Sequence, residues 1–310
     1  MKVLIYSSFN EKHRNKIKRE LSLATEIKFK NELSDEQVRQ EFEKCDILMG
    51  NPPREWFNDP PTSLKFWQID SAGFNQYEGL KLTIPVANMG DFFAQACAET
   101  MMAGILAFYR GIHDLVRLQK QKEWKGAQMR TSLECLGDKK VLILGSGAIG
   151  LSIKDMLKGF GSSVKLSAQK NPIADIHNFP DVLKELENID LVINTLPGTA
   201  DQYVSKDFFD SMKRGSVYAN VGRGNTTDEK ELIENLQSKK LKGAILDVTE
   251  QEPLALDNPL WEMENVVLTQ HTGGGNIHEN QGKIERFIKN LEDFLNKKPI
   301  EDLVDLTMGY

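Results

Sequence analysis

Three side chains stand out for the chemistry that their types allow. Arg223 sits in VGRGN, directly after the apolar run Val217 to Val221. Glu252 sits in DVTEQEPL, past a run that ends near Asp247, and His271 sits in TQHTGGG, past the run Val266 to Thr269. Arginine offers a planar fork that binds a carboxylate or the oxygens of a keto acid through two hydrogen bonds. Histidine can donate a proton near neutral pH. A carboxylate beside it orients the ring and favours the imidazolium. Next to a nicotinamide, this set can reduce a 2-keto acid. Singly, each has an ordinary reading: a loop histidine satisfied by backbone, a surface arginine between turn glycines, a turn carboxylate before Pro253. The order of all three, each after its own apolar run, favours the chemical reading.

A nucleotide site is readable in VLILGSGAIG, where Gly145, Gly147 and Gly150 have the spacing G-x-G-x-x-G. The spacing alone is weak. Here it follows an apolar run and opens a helix with Ile149, Ile153, Met156, Leu157 and Phe160 on one face, which is the context a dinucleotide site requires. Gly145 allows the tight turn, Gly147 lets the backbone approach a pyrophosphate, and Gly150 lets helix and strand pack. The phosphates would meet free N–H groups at the helix start, at Ala148 and Ile149. A phosphate-binding P-loop is excluded, because Leu151 stands where its lysine would be.

An NAD-selective site places an acid about 20 residues further on, to bind the ribose 2′-OH. The segment VKLSAQKNP has none, and the next acid is Asp175. It offers Ser167, Gln169 and Lys170, a hydroxyl and a cation that suit a 2′-phosphate; an ordinary polar loop with a solvated lysine is the alternative. NADP is modestly favoured over NAD. Hydrolase and metal readings fail. There is no G-x-S-x-G elbow, no metal helix of H-x-x-x-H type, and no Cys/His cluster around Cys45, Cys97 or Cys135.

These residues need strand ends to stand on. Short apolar runs alternate with charged amphipathic stretches: 3–6, 27–29, 46–49, 66–69 and 84–87, then, after residue 135, 141–144, 164–166, 191–194, 217–220, 244–246 and 266–269. Strands alternating with helices imply βαβ units and parallel sheets. In such sheets, ligands bind outside the carboxyl ends of the strands. The expected fold is α/β with two doubly wound parallel-sheet units, the second a Rossmann-type unit opening on the dinucleotide turn. An apolar helix from Asp91 to Arg110, capped by Asp91, bridges the two units. A second, Gln281 to Leu295, carries Ile284, Phe287, Ile288, Leu291 and Leu295 on one face.

The chain of 310 residues has length for two domains. Its net charge of −6, without a basic block, argues against nucleic acid or an anionic membrane as partner. The N-terminal apolar run is too short for a signal peptide, and no stretch reaches the ~20 apolar residues of a membrane span. Three scattered cysteines suit a reducing compartment. The expectation is a cytoplasmic protein without a metal.

Together these motifs resemble the D-isomer-specific 2-hydroxyacid dehydrogenase family over almost all of the chain. LGDKKVLILGSGAIG is similar to the family's nucleotide turn, and NTLPGTADQ, with Leu196 and Pro197, to its adenosine-side loop. NVGRGNTTDEKEL resembles its arginine segment, LDVTEQEPL its glutamate segment and VVLTQHTGGG its histidine segment. SAGFNQY resembles the loop whose N–H groups hold the substrate carboxylate, and AETMMAGILA the interdomain helix. NPLWEMENVVLTQH and the final Gly309-Tyr310 are similar to the short glyoxylate/hydroxypyruvate reductase branch.

The resemblance implies a flavodoxin-like substrate domain from residues 1–95 and 280–310, with a Rossmann nucleotide domain at 96–279 inserted. It implies a homodimer built on the nucleotide domains, with the helices of Asp91 to Glu123 at the interface. Arg223 would bind the substrate and polarise its carbonyl, His271 would protonate the carbonyl oxygen, and Glu252 would pair with His271. Asp247 would lie near the nicotinamide amide, Val221 and Gly222 would line the cofactor, and Ala72 and Gly73 would hold the carboxylate. The implied activity is hydride transfer between NAD(P)H and a small 2-keto acid, giving the D-2-hydroxy acid. A dinucleotide-sensing binding protein, as some corepressors of this superfamily are, is the alternative. One departure is Gln270, where the family usually has proline; it is expected to alter loop rigidity and spare the proton donor.

Overall fold

The computed structural model describes residues 1–21 and 26–307; the Gly309-Tyr310 ending lies outside them. The chain divides into two compact units, Met1–Phe93 with Asn276–Tyr310, and Ala94–Gly275. The borders fall at 93/94 and 275/276, a few residues before the 95/96 and 279/280 that the family resemblance implies.

The strands are β1 (Lys2–Ile5), β2 (Glu26–Phe29), β3 (Ile47–Met49), β4 (Phe66–Gln68) and β5 (Val86–Ala87) in the first unit. The second holds β6 (Lys140–Leu144), β7 (Ser163–Ser167), β8 (Leu191–Asn194), β9 (Val217–Asn220), β10 (Gly243–Leu246) and β11 (Val266–Leu268). The helices are α1 (Glu11–Glu20), α2 (Asp35–Phe42), α3 (Ala94–Tyr109), α4 (Ile112–Gln121) and α5 (Gly126–Met129), then α6 (Ala148–Lys158), α7 (Phe179–Leu186), α8 (Lys206–Ser211), α9 (Glu229–Gln237) and α10 (Glu279–Leu295). None is long and apolar enough to cross a membrane.

Both sheets are parallel throughout. The first has the order β2-β1-β3-β4-β5, the flavodoxin-like arrangement. The second has the order β11-β10-β9-β8-β6-β7, so the chain reverses direction across the sheet between β6 and β8. That switch point is where a doubly wound sheet binds its ligand. β8 and β9 are buried at every position, and β6 at all but its first, as the continuous apolar runs require. The core of the first unit is closed by α10, whose Ile284, Phe287, Ile288 and Leu291 pack with β1, β3 and β4 residues. Leu295, expected on the same face, is 45% exposed.

Two helix expectations need correction. The apolar helix begins at Ala94 and not at Asp91, because Asp91 is engaged as an acceptor for Arg286 at 3.1 Å. Nine of its residues, from Ala94 to Tyr109, are already buried, so α3 does not itself call for a second subunit. In α6 the buried face is Gly150, Ile153 and Leu157; Phe160 lies past the helix end and is 44% exposed.

Candidate active site

Two asparagines shape the strand ends. Asn194 and Asn220 are register partners, each the last residue of its strand. Asn194 Oδ1 accepts the Leu196 N–H and Asn220 Oδ1 the Gly222 N–H, both at 2.9 Å. Each is a side-chain-closed turn that redirects the chain as it leaves the sheet. The amide nitrogens donate into a buried cluster: Asn194 Nδ2 to Tyr218 and Thr226, Asn220 Nδ2 to Thr227 and the Arg223 carbonyl. Burial pushes the Tyr218 phenol up, so it stays a neutral hydroxyl within that cluster. The two turns then meet, since a Cβ at Gly222 would fall 2.5 Å from the Leu196 carbonyl oxygen.

The Gly-rich turn fits a dinucleotide. Gly145 has φ +103°, and a Cβ there would fall 2.6 Å from Thr195 Oγ1. A Cβ at Gly150 would fall 2.6 Å from the Gly145 carbonyl oxygen. At Gly147 a Cβ would meet nothing within 4 Å. Two glycines are therefore needed by the protein's own packing, and the middle one by the space in front of it. No side chain caps α6, so its first N–H groups, at Ala148 and Ile149, are left for an anion. Leu196, half-buried, and Pro197, exposed, follow β8 on the same edge.

Arg223 leaves β9 in extended backbone. Its carbonyl accepts from Thr226 Oγ1 at 2.6 Å, which fixes the turn. Its guanidinium donates to the Gly222 carbonyl and to no other acceptor among the described residues, leaving most of its fork for a ligand. Gly224 lets this turn touch the next one, since a Cβ there would fall 1.7 Å from the Thr249 carbonyl oxygen.

The Glu252 loop is pinned by Glu229 at the start of α9, which accepts from Glu250 N–H and Asn258 Nδ2. Glu252 Oε1 accepts the Thr249 N–H at 3.1 Å, and Oε2 accepts from His271 Nδ1 at 2.5 Å. Nε2 is thus the ring position left for a substrate. Gln270 and His271 both have left-handed backbone, φ +56° and +53°, which costs about 1–3 kcal/mol each. Proline cannot adopt that φ, so Gln270 changes the shape of this turn and not only its rigidity.

Asp247 holds the strained turn. Its carboxylate accepts from Thr269 Oγ1 at 2.6 Å and from the N–H groups of Thr272 and Gly273, while its carbonyl accepts the His271 N–H. This buried acid, assigned by resemblance to the nicotinamide amide, is engaged by the histidine loop. Thr100 Oγ1 of α3 donates to the Gly273 carbonyl from the other side. Burial pushes the nearby Cys97 thiol up to about 11, with Asp247 adding to the shift and Arg223 opposing it. It is a neutral thiol, unsuited to act as a nucleophile. Beside the His271–Glu252 pair opens a pocket of about 400 Å³ whose walls include Leu254, Trp261 and Leu268.

The remaining candidates lie on other segments. Ser167 is buried at the end of β7, where its carbonyl accepts the Gly145 N–H. Lys170 is exposed and makes no ion pair among the described residues. Asp175 faces away from this role: its Oδ2 accepts the Leu166 N–H at 2.8 Å. In the first unit, Ser71 Oγ donates to the Gly73 carbonyl and Asn88 Nδ2 to the Ala72 carbonyl. The N–H groups of Ala72 and Gly73 donate to no acceptor among the described residues.

A Rossmann sheet carrying a histidine–carboxylate pair and a free arginine fork at the edge of its dinucleotide turn defines a nicotinamide-dependent oxidoreductase. The comparisons with known proteins agree. The model of the D-isomer specific 2-hydroxyacid dehydrogenase, NAD binding domain, matches residues 102–273, and the chain belongs to that family. Glyoxylate/hydroxypyruvate reductase A of Arabidopsis thaliana is 30% identical over 70% of each chain. Glyoxylate/hydroxypyruvate reductase B of Erwinia tasmaniensis is 27% identical over 98% of each. An NADPH-dependent glyoxylate/hydroxypyruvate reductase from Sinorhizobium meliloti, solved with NADP and sulfate, shares the fold: TM-score 0.83, 21% identity, 100% of this chain and 99% of that one covered.

Proposed function

We propose that this chain reduces a small 2-keto acid of the glyoxylate or hydroxypyruvate kind to the D-2-hydroxy acid, with NADPH preferred modestly over NADH. The observation that carries the proposal is the 2.5 Å contact of His271 Nδ1 with Glu252, which leaves Nε2 to serve the substrate. The bound nicotinamide supplies hydride to the keto carbon. His271, protonated, donates its Nε2 proton to the keto oxygen, and Glu252 stabilises the imidazolium before transfer. Arg223 binds the carboxylate or keto oxygen and draws charge from the carbonyl. The unpartnered N–H groups of Ala72 and Gly73 are assigned to the substrate carboxylate. Gly145, Gly147, Ala148, Ile149 and Gly150 are assigned to the pyrophosphate, and Leu196, Pro197, Val221 and Gly222 to the cofactor along the same edge. The reductase activities named for the Arabidopsis and Erwinia relatives support the substrate class, and the Sinorhizobium complex supports the cofactor.

Initial rates with both cofactors against a dozen 2-keto acids test the proposal, with chiral analysis of the hydroxypyruvate product. Cofactor binding without turnover of any of them would replace it with the sensing role. A homodimer is proposed on α4, where Ile112, Leu115 and Val116 stand exposed on one face; a monomer by light scattering at micromolar concentration would refute it. A cytoplasmic setting fits three free cysteines.

A further inference from the structure

We infer that His177 is a ligand of the cofactor's 2′-phosphate and sets the preference for NADPH together with Lys170; this rests on the cofactor preference proposed above. The ribose of a dinucleotide lies at the end of the second strand of its sheet, where an acid would otherwise accept the 2′-OH. Here that strand is β7, and Gly145 of the phosphate turn donates to the carbonyl of its last residue, Ser167, at 2.8 Å. After the turn through Lys170 the chain returns alongside β7: Ile176 bridges Ser167, and Ala168 N–H donates to the Ile176 carbonyl. His177 is thereby brought to the strand end, and its Nδ1 bonds the Ala168 carbonyl at 2.9 Å.

That bond decides what the ring offers. A carbonyl only accepts, so Nδ1 carries the hydrogen and Nε2 is the free position. The ring is exposed, and Nε2 has no partner among the described residues. When the ring is doubly protonated, Nε2 presents an N–H and a positive charge, which a phosphate dianion favours. The only carboxylate between Lys158 and Asp181 is Asp175, and the Leu166 N–H holds it on the sheet edge. Within that segment no acid is left to accept a 2′-OH or repel a phosphate. Two unpaired nitrogens, Lys170 Nζ and His177 Nε2, are what the strand end presents.

Calorimetric titration with adenosine 2′,5′-bisphosphate and with 5′-AMP tests this without turnover. Wild type should bind the bisphosphate more tightly than 5′-AMP. His177→Gln should weaken the bisphosphate about tenfold or more, the scale of a charged hydrogen bond, and leave 5′-AMP within about twofold. If wild type binds both probes equally, the NADPH preference itself falls. If wild type discriminates and His177→Gln discriminates equally well, His177 has no part in it and the preference stands on other residues. Equal losses for both probes would show a structural role only.

Discussion

Gly273 donates its N–H to both carboxylate oxygens of Asp247, at 3.1 and 3.2 Å, and a Cβ at Gly273 would fall 2.6 Å from Oδ2. Contact this close leaves room for no other residue. It fastens the far side of the His271 turn to the end of β10, while the His271 N–H is held by the Asp247 carbonyl. Glu252 sets the ring and Asp247 sets the backbone beneath it.

Gly273→Ala should therefore push the turn off Asp247 and lower kcat at least tenfold while the protein stays folded. Asp247→Asn should act alike, because one acceptor oxygen becomes an NH₂ facing N–H donors; a melting-point drop should accompany it, since each lost charged hydrogen bond is worth roughly 1.5–3 kcal/mol. Rates and melting curves of the two variants check this. Full activity in Gly273→Ala would show that the contact does not position the histidine.

His271→Gln should lower turnover by about 10²–10⁴, the range for a positioned general acid, with cofactor affinity nearly unchanged. Glu252→Gln keeps an acceptor for Nδ1 and removes the charge, so its loss should be smaller. Single-turnover reduction with saturating cofactor measures both. The reverse ranking would mean that the carboxylate, not the ring, limits the chemistry.

Gly147→Ala and Gly150→Ala should separate binding from folding. At Gly147 the methyl group meets no protein atom within 4 Å. The variant should melt as wild type does but bind cofactor about tenfold less tightly. At Gly150 the methyl would press on the Gly145 carbonyl oxygen at 2.6 Å, so stability should fall by about 1–3 kcal/mol. Urea unfolding and fluorescence titration together decide.

Thiol titration should find one reactive cysteine in the native chain. Cys135 is exposed. Cys45 and Cys97 are buried, and burial pushes their thiols up to about 12 and about 11. A thiolate forms only as pH approaches those values, so both should be silent to an aromatic disulfide reagent at pH 8. All three should react in denaturant. Fast labelling of Cys97 at pH 8 would mean that its surroundings open readily.

The fold is readable because eleven short apolar runs alternate with amphipathic stretches, and the central ones, such as those of β6, β8 and β9, are continuous enough for strands buried on both faces. Helix ends are not. Periodicity does not report where the chain leaves the helix, so Asp91 and Phe160 were placed inside helices they lie outside. Arg223, Glu252 and His271 are legible as candidates because each follows its own strand. The grip of Asp247 on Gly273, and the pinning of the Glu252 loop by Glu229, join residues 26 and 21 positions apart; no local pattern announces such bonds. Asn194 and Asn220 did leave a signal, a polar residue closing an apolar run in LVIN and again in VYAN. The backbone of Gln270 left none, since glutamine carries no preference for φ above zero.

The closing of the first unit's core by α10 also bears on the order in which the chain can be made. Ile284, Phe287, Ile288 and Leu291 fill a core whose other members come from the first 87 residues, and Asn290 donates to the buried Gln68 side chain at 2.9 Å. On a ribosome, the nucleotide unit has all its own residues once Gly275 has emerged. The segment made before that unit must wait, partly uncovered, for the one made after it. Nascent chains arrested with Gly275 just clear of the exit tunnel, and α10 still inside it, should thus resist protease across 94–275 and be cut within 1–93. Residues 1–93 are therefore exposed for longer during synthesis than the nucleotide unit that follows them.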